Sequence, residues 1–426
     1  MSRVTPLKDP ITIELDGRAL SAREGEPVAA ALIAHGELLF ARSPKYHRPR
    51  GPFCMSGGCS QCLMRVDGVP NVPTCRVPAR DGMRLERQNA VPGARIDLLR
   101  ATDFVFQQWF NHHEFLTGLP IAEAVLVKVA RQLSGLGVLP AGPGAPRPQA
   151  RLERLGTVIV GAGPSGLAVA RRLEEAGRDY RLFEREAVPG GRLLSGAGEE
   201  APSWVPPAER ARYGALVVGL FADEGSPFLA VIEGGGLVLV QYERLVLATG
   251  GHPVLPTFPN NDLPGVMAGR AVGALLRRHG VLPGKSIACL GEADEAAALA
   301  RLVTHAGGEA FAVGHEVVRA HGLRRVEAVT TRALVGDERS LAVKHRCDII
   351  ALCGPVGPSF ELAAAAGAKT RWDERSHLFV VQADERGHTG VPGLFVAGEL
   401  LGPRSSREAA ASGVSSAEAI LEGGAP

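Results

Sequence analysis

The sequence has no long apolar run, almost no net charge and few aromatic residues. No stretch approaches the length of apolar chain that a helix needs to cross a bilayer, and residues 1–8 contain no apolar core of signal-peptide length. The formal net charge of the 426-residue chain is +2, which gives no reason to expect nucleic-acid binding. The missing apolar segments predict a cytoplasmic protein with no transmembrane segment, and peripheral association with a membrane stays open. The length of the chain predicts two or three domains.

Cysteine is scarce, with seven residues in the chain, but four of them are crowded together. They follow the pattern Cys54-x4-Cys59-x2-Cys62-x12-Cys75. In a reducing compartment such crowding indicates metal or cluster ligation instead of disulfides. Three thiolates on one loop and a fourth returning after a hairpin can surround the two irons of a [2Fe–2S] cluster. Zinc is the competing metal, although structural zinc sites usually show two short-spaced cysteine pairs.

Glycines and turn residues support the cluster interpretation. Gly57 and Gly58 lie inside the cysteine loop, where a chain that wraps a cluster needs positive φ angles. The fourth cysteine returns after a hairpin predicted at Asp67-Gly68. Before the loop, residues 11–33 read as two strands, a turn at Asp16-Gly17 and a helix. This order is how a small β-grasp ferredoxin begins.

A second pattern starts at Thr157, where an apolar run breaks into a glycine-rich turn. Gly161-x-Gly163-x-x-Gly166 opens a predicted helix, and the next strand ends on an acidic residue, Glu184. This is a complete βαβ fingerprint for a dinucleotide, with the pyrophosphate over the helix N-terminus and the acid at a ribose. The candidate nucleotide-binding residues of this turn are Gly161, Gly163, Pro164, Ser165, Gly166, Glu184 and Arg185.

Later segments add candidate flavin contacts. A Pro-Gly-Gly-Arg turn follows the acidic residue, an apolar strand ends in Ala-Thr-Gly-Gly, and a Phe-Val-Ala-Gly-Glu run comes near the end of the chain. The final helix, predicted over 406–421, is expected to cap the cofactor. These segments contribute the candidate residues Gly191, Arg192, Thr249, Gly250, Gly398 and Glu399.

A second βαβ pattern begins at residue 284 but has a damaged glycine turn. Ala293 occupies the position that should admit a pyrophosphate, and Glu292, Asp294 and Glu295 put negative charge where phosphates would lie. The pattern therefore predicts a retained fold that no longer binds NAD(P)H. The three remaining cysteines, Cys289, Cys347 and Cys353, are predicted to be buried packing residues.

The segments between these patterns set the domain boundaries. Residues 97–136 read as an aromatic-bearing helical segment, interpreted as packing surface, in which the adjacent His112 and His113 point in different directions. Residues 139–148 are a linker rich in proline and glycine. The predicted domains are a ferredoxin-like domain (1–92), a helical connector with the linker (93–153), a discontinuous FAD-binding domain (154–262 and 354–426) and a degenerate NAD-type domain (263–353).

With these motifs in view, the chain resembles the α subunits of heteromeric amino-acid and amine dehydrogenases, among them sarcosine oxidase, hydrogen cyanide synthase and the dye-linked proline, hydroxyproline and opine dehydrogenases. The residues that carry the resemblance are the Cys54–Cys75 loop, the 158–166 turn, the Asn261-Asp-Leu-Pro-Gly-Val-Met267 run and the Gly393–Gly398 strand. The resemblance implies an α/β protein: an N-terminal β-grasp [2Fe–2S] domain followed by a two-dinucleotide-binding, Rossmann-type flavoprotein fold.

The resemblance also implies cofactors and partners. FAD is the first choice for the dinucleotide, with NAD or another adenine nucleotide as alternatives, and relatives hold a further flavin (FMN) at a subunit interface. A flavin-bearing β subunit would oxidise the amine, and this chain would pass electrons through the [2Fe–2S] cluster to a quinone or another carrier. The chain departs from the family at Glu399, where many flavoproteins have Asp.

Three functions fit the motifs. The leading one is the electron-transfer subunit just described, inactive without its partner. The second is an NAD(P)H-dependent flavin and iron–sulfur reductase. The third is a scaffold subunit with a structural nucleotide. The sequence shows no catalytic base, arginine clamp or covalent nucleophile, so catalytic residues and the amine substrate are left unassigned.

Overall fold

The computed structural model describes residues 2–44, 46–90, 92–101, 149–223, 226–313, 315–333, 341–354 and 356–423. By internal contacts the chain divides into two compact units. Unit 1 comprises residues 1–141 and 255–354, and unit 2 comprises residues 142–254 and 355–426. The aromatic segment with His112 and His113, and the proline-rich linker, lie outside the described residues from position 102 to position 148.

The elements are numbered along the described residues. The helices are α1 (Val28–Ala34), α2 (Pro164–Glu175), α3 (Gly269–His279), α4 (Ala293–His305), α5 (Glu361–Ala365) and α6 (Ser406–Glu422). The strands of the first half are β1 (Ser2–Arg3), β2 (Ile11–Leu15), β3 (Arg18–Ala22), β4 (Ala41–Arg42), β5 (Pro49–Arg50), β6 (Leu63–Val66), β7 (Val69–Pro73), β8 (Arg84–Glu86), β9 (Pro92–Gly93), β10 (Ile96–Asp97), β11 (Arg151–Val160), β12 (Arg181–Glu184), β13 (Ala211–Tyr213) and β14 (Leu216–Asp223). Those of the second half are β15 (Ser226–Glu233), β16 (Gly236–Leu247), β17 (Gly251–Pro253), β18 (Val266–Ala268), β19 (Val281–Leu282), β20 (Ser286–Gly291), β21 (Glu309–Val313), β22 (His315–His321), β23 (Ala328–Ala333), β24 (Val343–Arg346), β25 (Ile349–Cys353), β26 (Val356–Pro358), β27 (Thr370–Asp373), β28 (Leu378–Val381) and β29 (Leu394–Val396).

The N-terminal part of unit 1 is a five-stranded mixed sheet with one helix. The strand order is β3-β2-β8-β6-β7, and β2 pairs with β8 in parallel while the other neighbours are antiparallel. Helix α1 is apolar on every side and buried from Val28 to Ile33, as expected for a helix enclosed by its module. The predicted turns at Asp16-Gly17 and Asp67-Gly68 are present, with positive φ at all four residues. This is the β-grasp arrangement.

The remainder of unit 1 is a Rossmann-type lobe. Its parallel sheet has the order β18-β25-β20-β21, with α3 and α4 as connecting helices. An antiparallel sheet, β22-β23-β24, lies beside it in the chain. Strand β1 pairs with β19 of this lobe, through Ser2 with Leu282 and Arg3 with Val281. The N-terminal strand is therefore joined to the lobe by backbone hydrogen bonds.

Unit 2 is built on one mixed sheet of seven strands. The order is β13-β12-β11-β16-β15-β14, and β29 also pairs with β16. Strands β13, β12, β11, β16 and β29 are parallel, whereas β14, β15 and β16 form an antiparallel meander. Val158 and Val160 enter one apolar cluster and Ile159 enters another, so β11 is buried on both faces. A parallel central strand with this burial is typical of the doubly wound fold.

The fold class predicted from the sequence is confirmed: an N-terminal ferredoxin-like domain precedes a nucleotide-binding, Rossmann-like flavoprotein fold. Helix α6 begins at Ser406 and ends at Glu422, close to the predicted bounds, and carries a capping box between Ser405 and Glu408. The domain boundaries given above stay predictions.

Candidate functional site

The cysteine loop of unit 1 folds through three left-handed residues. Gly57 has φ of 86°, as predicted, and a Cβ there would lie 3.0 Å from Cγ of Arg76. Gly58 does not adopt positive φ, so that expectation was wrong; Met55 (φ 52°) and Ser60 (φ 53°) take the left-handed conformation instead. Positive φ is uncommon for residues other than glycine. The loop is therefore held in its shape by its surroundings as well as by its own sequence.

The four cysteines come together at one end of the module. Cys54, Cys62 and Cys75 are buried, and Cys59 is half-buried. The thiols contact each other in pairs: Cys54 with Cys59, Cys54 with Cys75, and Cys75 with Cys62. Hydrogen bonding from Cys59 and then from Cys75 holds the pKa of the Cys54 thiol well below its usual range. Hydrogen bonding to Cys54 and then to Cys62 raises the pKa of Cys75.

These thiol contacts suit a two-iron cluster. A [2Fe–2S] cluster takes four thiolates, two on each iron, and the donor set here is four cysteines in paired contact. Among the described residues, no group of three or more His, Cys, Asp or Glu side chains has the geometry of a metal-ion site, so the cluster assignment rests on the cysteine spacing and the thiol contacts. The backbone N–H of Ser56 donates to Sγ of Cys54 at 3.4 Å, the kind of contact that tunes cluster thiolates.

Thr74 is a supporting residue that the sequence analysis missed. It is fully buried, and both its hydroxyl and its N–H donate to the carbonyl oxygen of Cys62, at 2.7 and 3.3 Å. These bonds align the strand that leaves Cys62 with the strand that returns to Cys75. A buried threonine directly before the fourth cysteine was the available signal.

In unit 2 the glycine fingerprint forms the predicted tight turn between β11 and α2. Gly161 has φ of 103°, and a Cβ there would lie 2.4 Å from the carbonyl oxygen of Ala248. A Cβ on Gly166 would lie 1.9 Å from the carbonyl oxygen of Gly161. At Gly163 a Cβ would meet nothing within 4 Å. Gly161 and Gly166 are therefore required by close packing, whereas Gly163 borders open space at the start of the helix.

The N-terminus of α2 faces this open space. Gly163 is the N-cap and Pro164 is at the first helical position, where the missing N–H of proline costs nothing. The N–H groups of Ser165 and Gly166 have no acceptor within the helix, and they carry the positive end of the helix dipole. Such a terminus is suited to a phosphate.

Glu184 ends β12 beside the turn and is buried. Its Oε2 accepts from the N–H of Ala162 at 2.6 Å, and its Oε1 accepts from the N–H of Glu186 at 2.8 Å. Burial raises the pKa of Glu184, and the two backbone donors oppose that shift. Arg185 points outward and pairs with Glu186 at 3.7 Å. The carboxylate is thus held in place at the end of the strand that the fingerprint predicts for ribose recognition.

Arg192 and Glu399 form an ion pair that links distant parts of unit 2. Nη1 of Arg192 lies 2.9 Å from Oε1 of Glu399, and the two side chains are 17% and 7% exposed. The same Nη1 donates to the carbonyl oxygen of Arg404 at 2.6 Å, and Nη2 lies 3.3 Å from Glu199. The residue before the arginine, Gly191, has φ of 51°, and its Cβ would lie 3.2 Å from Cα of Gly163. The pair therefore lies next to the fingerprint.

The other candidate residues gather around the same place. Gly250 has φ of 68°, and a Cβ there would lie 3.6 Å from Oε2 of Glu399. A Cβ on Gly398 would lie 2.4 Å from Oγ of Ser165. The hydroxyl of Thr249 donates to the carbonyl oxygen of Ser359 at 3.0 Å. Residues from three separate stretches of sequence thus meet at the N-terminus of α2.

Two buried donors mark where an anionic group would fit. The Nε atoms of Arg192 and Arg404 are buried and have no hydrogen-bond partner in the part of the chain that the structure describes. Buried polar groups normally have partners. Together with the open space at Gly163 and the helix N–H groups that have no acceptor within α2, these donors fit the phosphates of a dinucleotide.

The C-terminal helix supplies further residues that the sequence analysis did not identify. A Cβ on Gly413 would lie 2.3 Å from the carbonyl oxygen of Ser165. Oγ of Ser412 accepts from the N–H of Gly398 at 2.8 Å. Helix α6 therefore packs directly on the start of α2. The run of small residues around Ser412 was the sequence signal for this close approach.

The second glycine turn, in unit 1, forms the same backbone shape with different chemistry. Gly291 has φ of 123°, and a Cβ there would lie 1.6 Å from the carbonyl oxygen of Cys353. Helix α4 follows with Glu292 as N-cap and with Asp294 and Glu295 in its first turn. These acids suit the helix dipole but oppose bound phosphates.

The scattered cysteines of this lobe are all buried. Burial raises the pKa of Cys289 to about 12 and that of Cys347 to about 12. Thiols in this state are poorly reactive. Burial also raises the pKa of Cys353. The three residues are free thiols packed in the core of the lobe, as predicted from the sequence.

Two family models match parts of the chain. Residues 8–90 match a 2Fe-2S iron-sulfur cluster binding domain. Residues 159–222 match an NAD(P)-binding Rossmann-like domain. The first range contains all four cysteines, and the second contains the fingerprint turn, Glu184 and Arg192. The chain therefore combines a [2Fe–2S] domain with the dinucleotide-binding fold of flavoprotein oxidoreductases.

Similar proteins extend over more of the chain. It is 27% identical to the alpha subunit of sarcosine oxidase from Rhizobium meliloti (strain 1021), over 97% of this chain and 46% of that protein. It is 24% identical to an opine oxidase subunit from Agrobacterium tumefaciens (strain Ach5), over 62% of this chain and 65% of that protein. The fold of L-proline dehydrogenase from P. horikoshii covers 99% of this chain and 75% of that chain, with a TM-score of 0.72 and 21% identity.

These similarities bear out the resemblance to α subunits of flavin and [2Fe–2S] dehydrogenases. The chain spans less than half the length of the sarcosine oxidase subunits that it matches, 46%, 41% and 42% of three of them. No helix in the described ranges is both long enough and apolar enough to cross a membrane.

Proposed function

We propose that this α-subunit-like oxidoreductase chain is the electron-transfer subunit of a heteromeric amino-acid or amine dehydrogenase or oxidase. The observation that carries the proposal is the presence, on one chain, of a four-cysteine loop and a dinucleotide turn with its surrounding donors. The similarity to the alpha subunit of sarcosine oxidase over 97% of this chain supports the same role. We assign FAD to the dinucleotide site, because Arg192, Gly250 and Glu399 gather beside the fingerprint as flavin contacts would. NAD or another adenine nucleotide is the alternative.

The two cofactors supply complementary redox chemistry, since a flavin accepts a hydride and a [2Fe–2S] cluster carries single electrons. The residues of the chain hold them in place. The N-terminus of α2 and the Nε atoms of Arg192 and Arg404 would bind the phosphates. Glu184, fixed by two backbone N–H groups, would accept from a ribose hydroxyl. Cys54, Cys59, Cys62 and Cys75 would ligate the cluster.

Substrate oxidation is assigned to a partner. The recognisable motifs of this chain serve cofactors, and the similar proteins carry the names of subunits of sarcosine and opine oxidases. We therefore propose a flavin-bearing β subunit that oxidises the amine, a further flavin (FMN) where the subunits meet, and a quinone or another carrier as the final acceptor. Which amine is oxidised is not assigned.

The test measures activity with and without the partner. The purified chain alone should show no amine-dependent reduction of a dye with sarcosine, proline or hydroxyproline, and co-expression with a flavin-bearing β subunit should give turnover. Nucleotide released by heat and identified by mass should be FAD, and acid-labile sulfide should be present. Robust turnover by the isolated chain would overturn the division of labour between subunits.

An NAD(P)H-dependent reductase is the second candidate, because unit 1 contains a second Rossmann-type lobe. The acids Asp294 and Glu295 at the start of α4 oppose NADH binding there. We expect that NADH leaves the flavin absorbance unchanged under anaerobic conditions. Rapid bleaching by NADH would instead favour the reductase. If the chain is a scaffold subunit, reductants should reduce the cluster and leave the bound nucleotide unchanged.

A further inference from the structure

The Asn261-Asp-Leu-Pro-Gly-Val-Met267 run has no part in either cofactor site described above. Residues 260–268, which we name the connecting segment, enter the parallel sheet of unit 1. Leu263 and Val266 are buried in the apolar cluster of the lobe. The carbonyl oxygens of Pro264 and Gly265 accept from the N–H groups of Val326 and Ile350, both at 2.9 Å. The segment is therefore firmly fixed to the Rossmann-type lobe.

The other side of the connecting segment contacts the chain that leads into the cysteine loop. The N–H of Ala268 donates to the carbonyl oxygen of Phe53 at 3.0 Å, and Phe53 directly precedes Cys54. A Cβ on Gly51 would lie 2.2 Å from the carbonyl oxygen of Leu38 and 3.0 Å from Cβ of Pro264. The carbonyl oxygen of Leu38 thus leaves no room for a larger residue at position 51, and Pro264 of the connecting segment lies close to the same position.

Asp262 adds an ionic contact at the same place. Its Oδ2 lies 3.6 Å from Nη1 of Arg50 and 4.0 Å from Nη1 of Arg48. The same Nη1 of Arg50 donates to Oε1 of Gln61 at 3.4 Å. Gln61 lies between Cys59 and Cys62, so Arg50 bridges the carboxylate of Asp262 to the far side of the cysteine loop.

These contacts hold the loop at two points. Phe53 is held at the entry to Cys54, and Gln61 is held just before Cys62. The carboxylate of Asp262 is only 14% exposed, so water screens this ion pair less than an ordinary surface pair. Its negative charge also offsets the guanidinium of Arg50 close to where a cluster would gain an electron.

We propose that Asp262 is a positioning residue for the iron–sulfur loop, acting through Arg50, and that the Rossmann-type lobe of unit 1 fixes the conformation of that loop. A lobe whose own turn is unsuited to a dinucleotide thereby has a defined role. The proposal rests on the cluster that the proposed function assigns to this loop, but not on the identity of the amine or the partner.

The charge of Asp262 predicts the sign of its redox effect. Reduction adds negative charge to the cluster. Removal of the carboxylate takes away a nearby anion and leaves Arg50 without its neutralising partner. Both changes favour the reduced state, so the midpoint potential of the cluster should become more positive. A purely structural role in folding would not predict this sign together with retained cluster content.

The experiment compares Asp262→Ala, Asp262→Asn and Asp262→Glu in the full chain. The control is Glu86→Gln, which removes a more exposed ion pair of similar length, between Glu86 and Arg65 at 3.4 Å, without touching the connecting segment. Three quantities are measured: hydrogen exchange of the amides in residues 50–62, the electron paramagnetic resonance spectrum after reduction by dithionite, and the midpoint potential from a dye-mediated titration.

We expect amides 50–62 to exchange about tenfold faster in Asp262→Ala and Asp262→Asn, with altered g values and a more positive potential. Asp262→Glu should restore all three quantities towards the wild type, and Glu86→Gln should leave them unchanged. Wild-type exchange and spectra in Asp262→Asn would overturn the proposal, as would the same change in Glu86→Gln. If the wild type lacks acid-labile sulfide, the cluster assignment fails, and the exchange measurement still decides whether Asp262 fixes the loop.

Discussion

Replacement of Gly163 by valine separates nucleotide binding from folding better than any other change in the fingerprint. A Cβ at this position meets nothing within 4 Å. The backbone there has φ of −76° and ψ of −172°, an extended conformation that suits a β-branched residue. Valine in place of glycine at a helix N-cap costs about 1 kcal/mol of stability. The chain without nucleotide should therefore fold normally.

The effect on nucleotide binding should be much larger. The valine side chain would occupy the space through which a pyrophosphate reaches the N–H groups of Ser165 and Gly166. A hydrogen bond to a charged group contributes about 1.5–3 kcal/mol. The loss of two such bonds, about 3–6 kcal/mol, corresponds to a roughly 100- to 20,000-fold larger dissociation constant.

The assay pairs this variant with Gly166→Ala, whose Cβ would lie 1.9 Å from the carbonyl oxygen of Gly161. Overpacking of this kind costs about 1–3 kcal/mol, so Gly166→Ala should lower the melting temperature of the nucleotide-free chain. Gly163→Val should lower that temperature less than Gly166→Ala does, but it should fail to bind FAD in a fluorescence titration. Stoichiometric FAD in purified Gly163→Val would refute the assignment of the phosphates to the start of α2.

Two further predictions concern the cysteine loop and the acid at the end of β12. Cys59→Ser should remove or destabilise the cluster, measured as acid-labile sulfide, while nucleotide content stays at the wild-type level. The control is Cys289→Ala, which removes a buried thiol outside the loop. Zinc without sulfide in the wild type would contradict the ligand assignment. Burial raises the pKa of Glu184 above its ordinary value of 4.5, so folding favours the neutral form of this group relative to the unfolded chain. In the nucleotide-free protein, the contribution of Glu184 to the free energy of unfolding should be fully present below pH 4.5. It should be lost as the pH rises through the raised pKa. Glu184→Gln should flatten that part of the profile in chemical denaturation at a series of pH values, and an unchanged profile would show that Glu184 titrates normally.

Local motifs were readable from the sequence because their geometry depends on neighbouring residues. The spacing of Cys54, Cys59, Cys62 and Cys75 predicts a cluster loop wherever that loop lies in the fold. Likewise, Gly166 is required by a contact inside the same turn, with the carbonyl oxygen of Gly161, whereas the contact that requires Gly161 is with Ala248, which follows β16. Turn residues with positive φ at Asp67-Gly68 follow the same logic.

Within the cysteine loop the sequence was a poorer guide. Glycine permits positive φ but does not require it, so Gly57 and Gly58 were equal candidates. The structure gives the left-handed conformation to Gly57 and also to Met55 and Ser60. Packing around the loop, including Arg76 beside Gly57, selects the backbone shape even where it places residues other than glycine at positive φ.

The sequence by itself determined the two cofactor motifs, their order and the fold class that each requires. Only the tertiary structure decided which distant residues complete them. Arg192 meets Glu399 across 207 positions of sequence, and Asp262 reaches Arg50 from the opposite lobe of unit 1. Such pairs arise from how sheets and helices pack, and no local spacing encodes a contact between residues that lie so far apart in the chain.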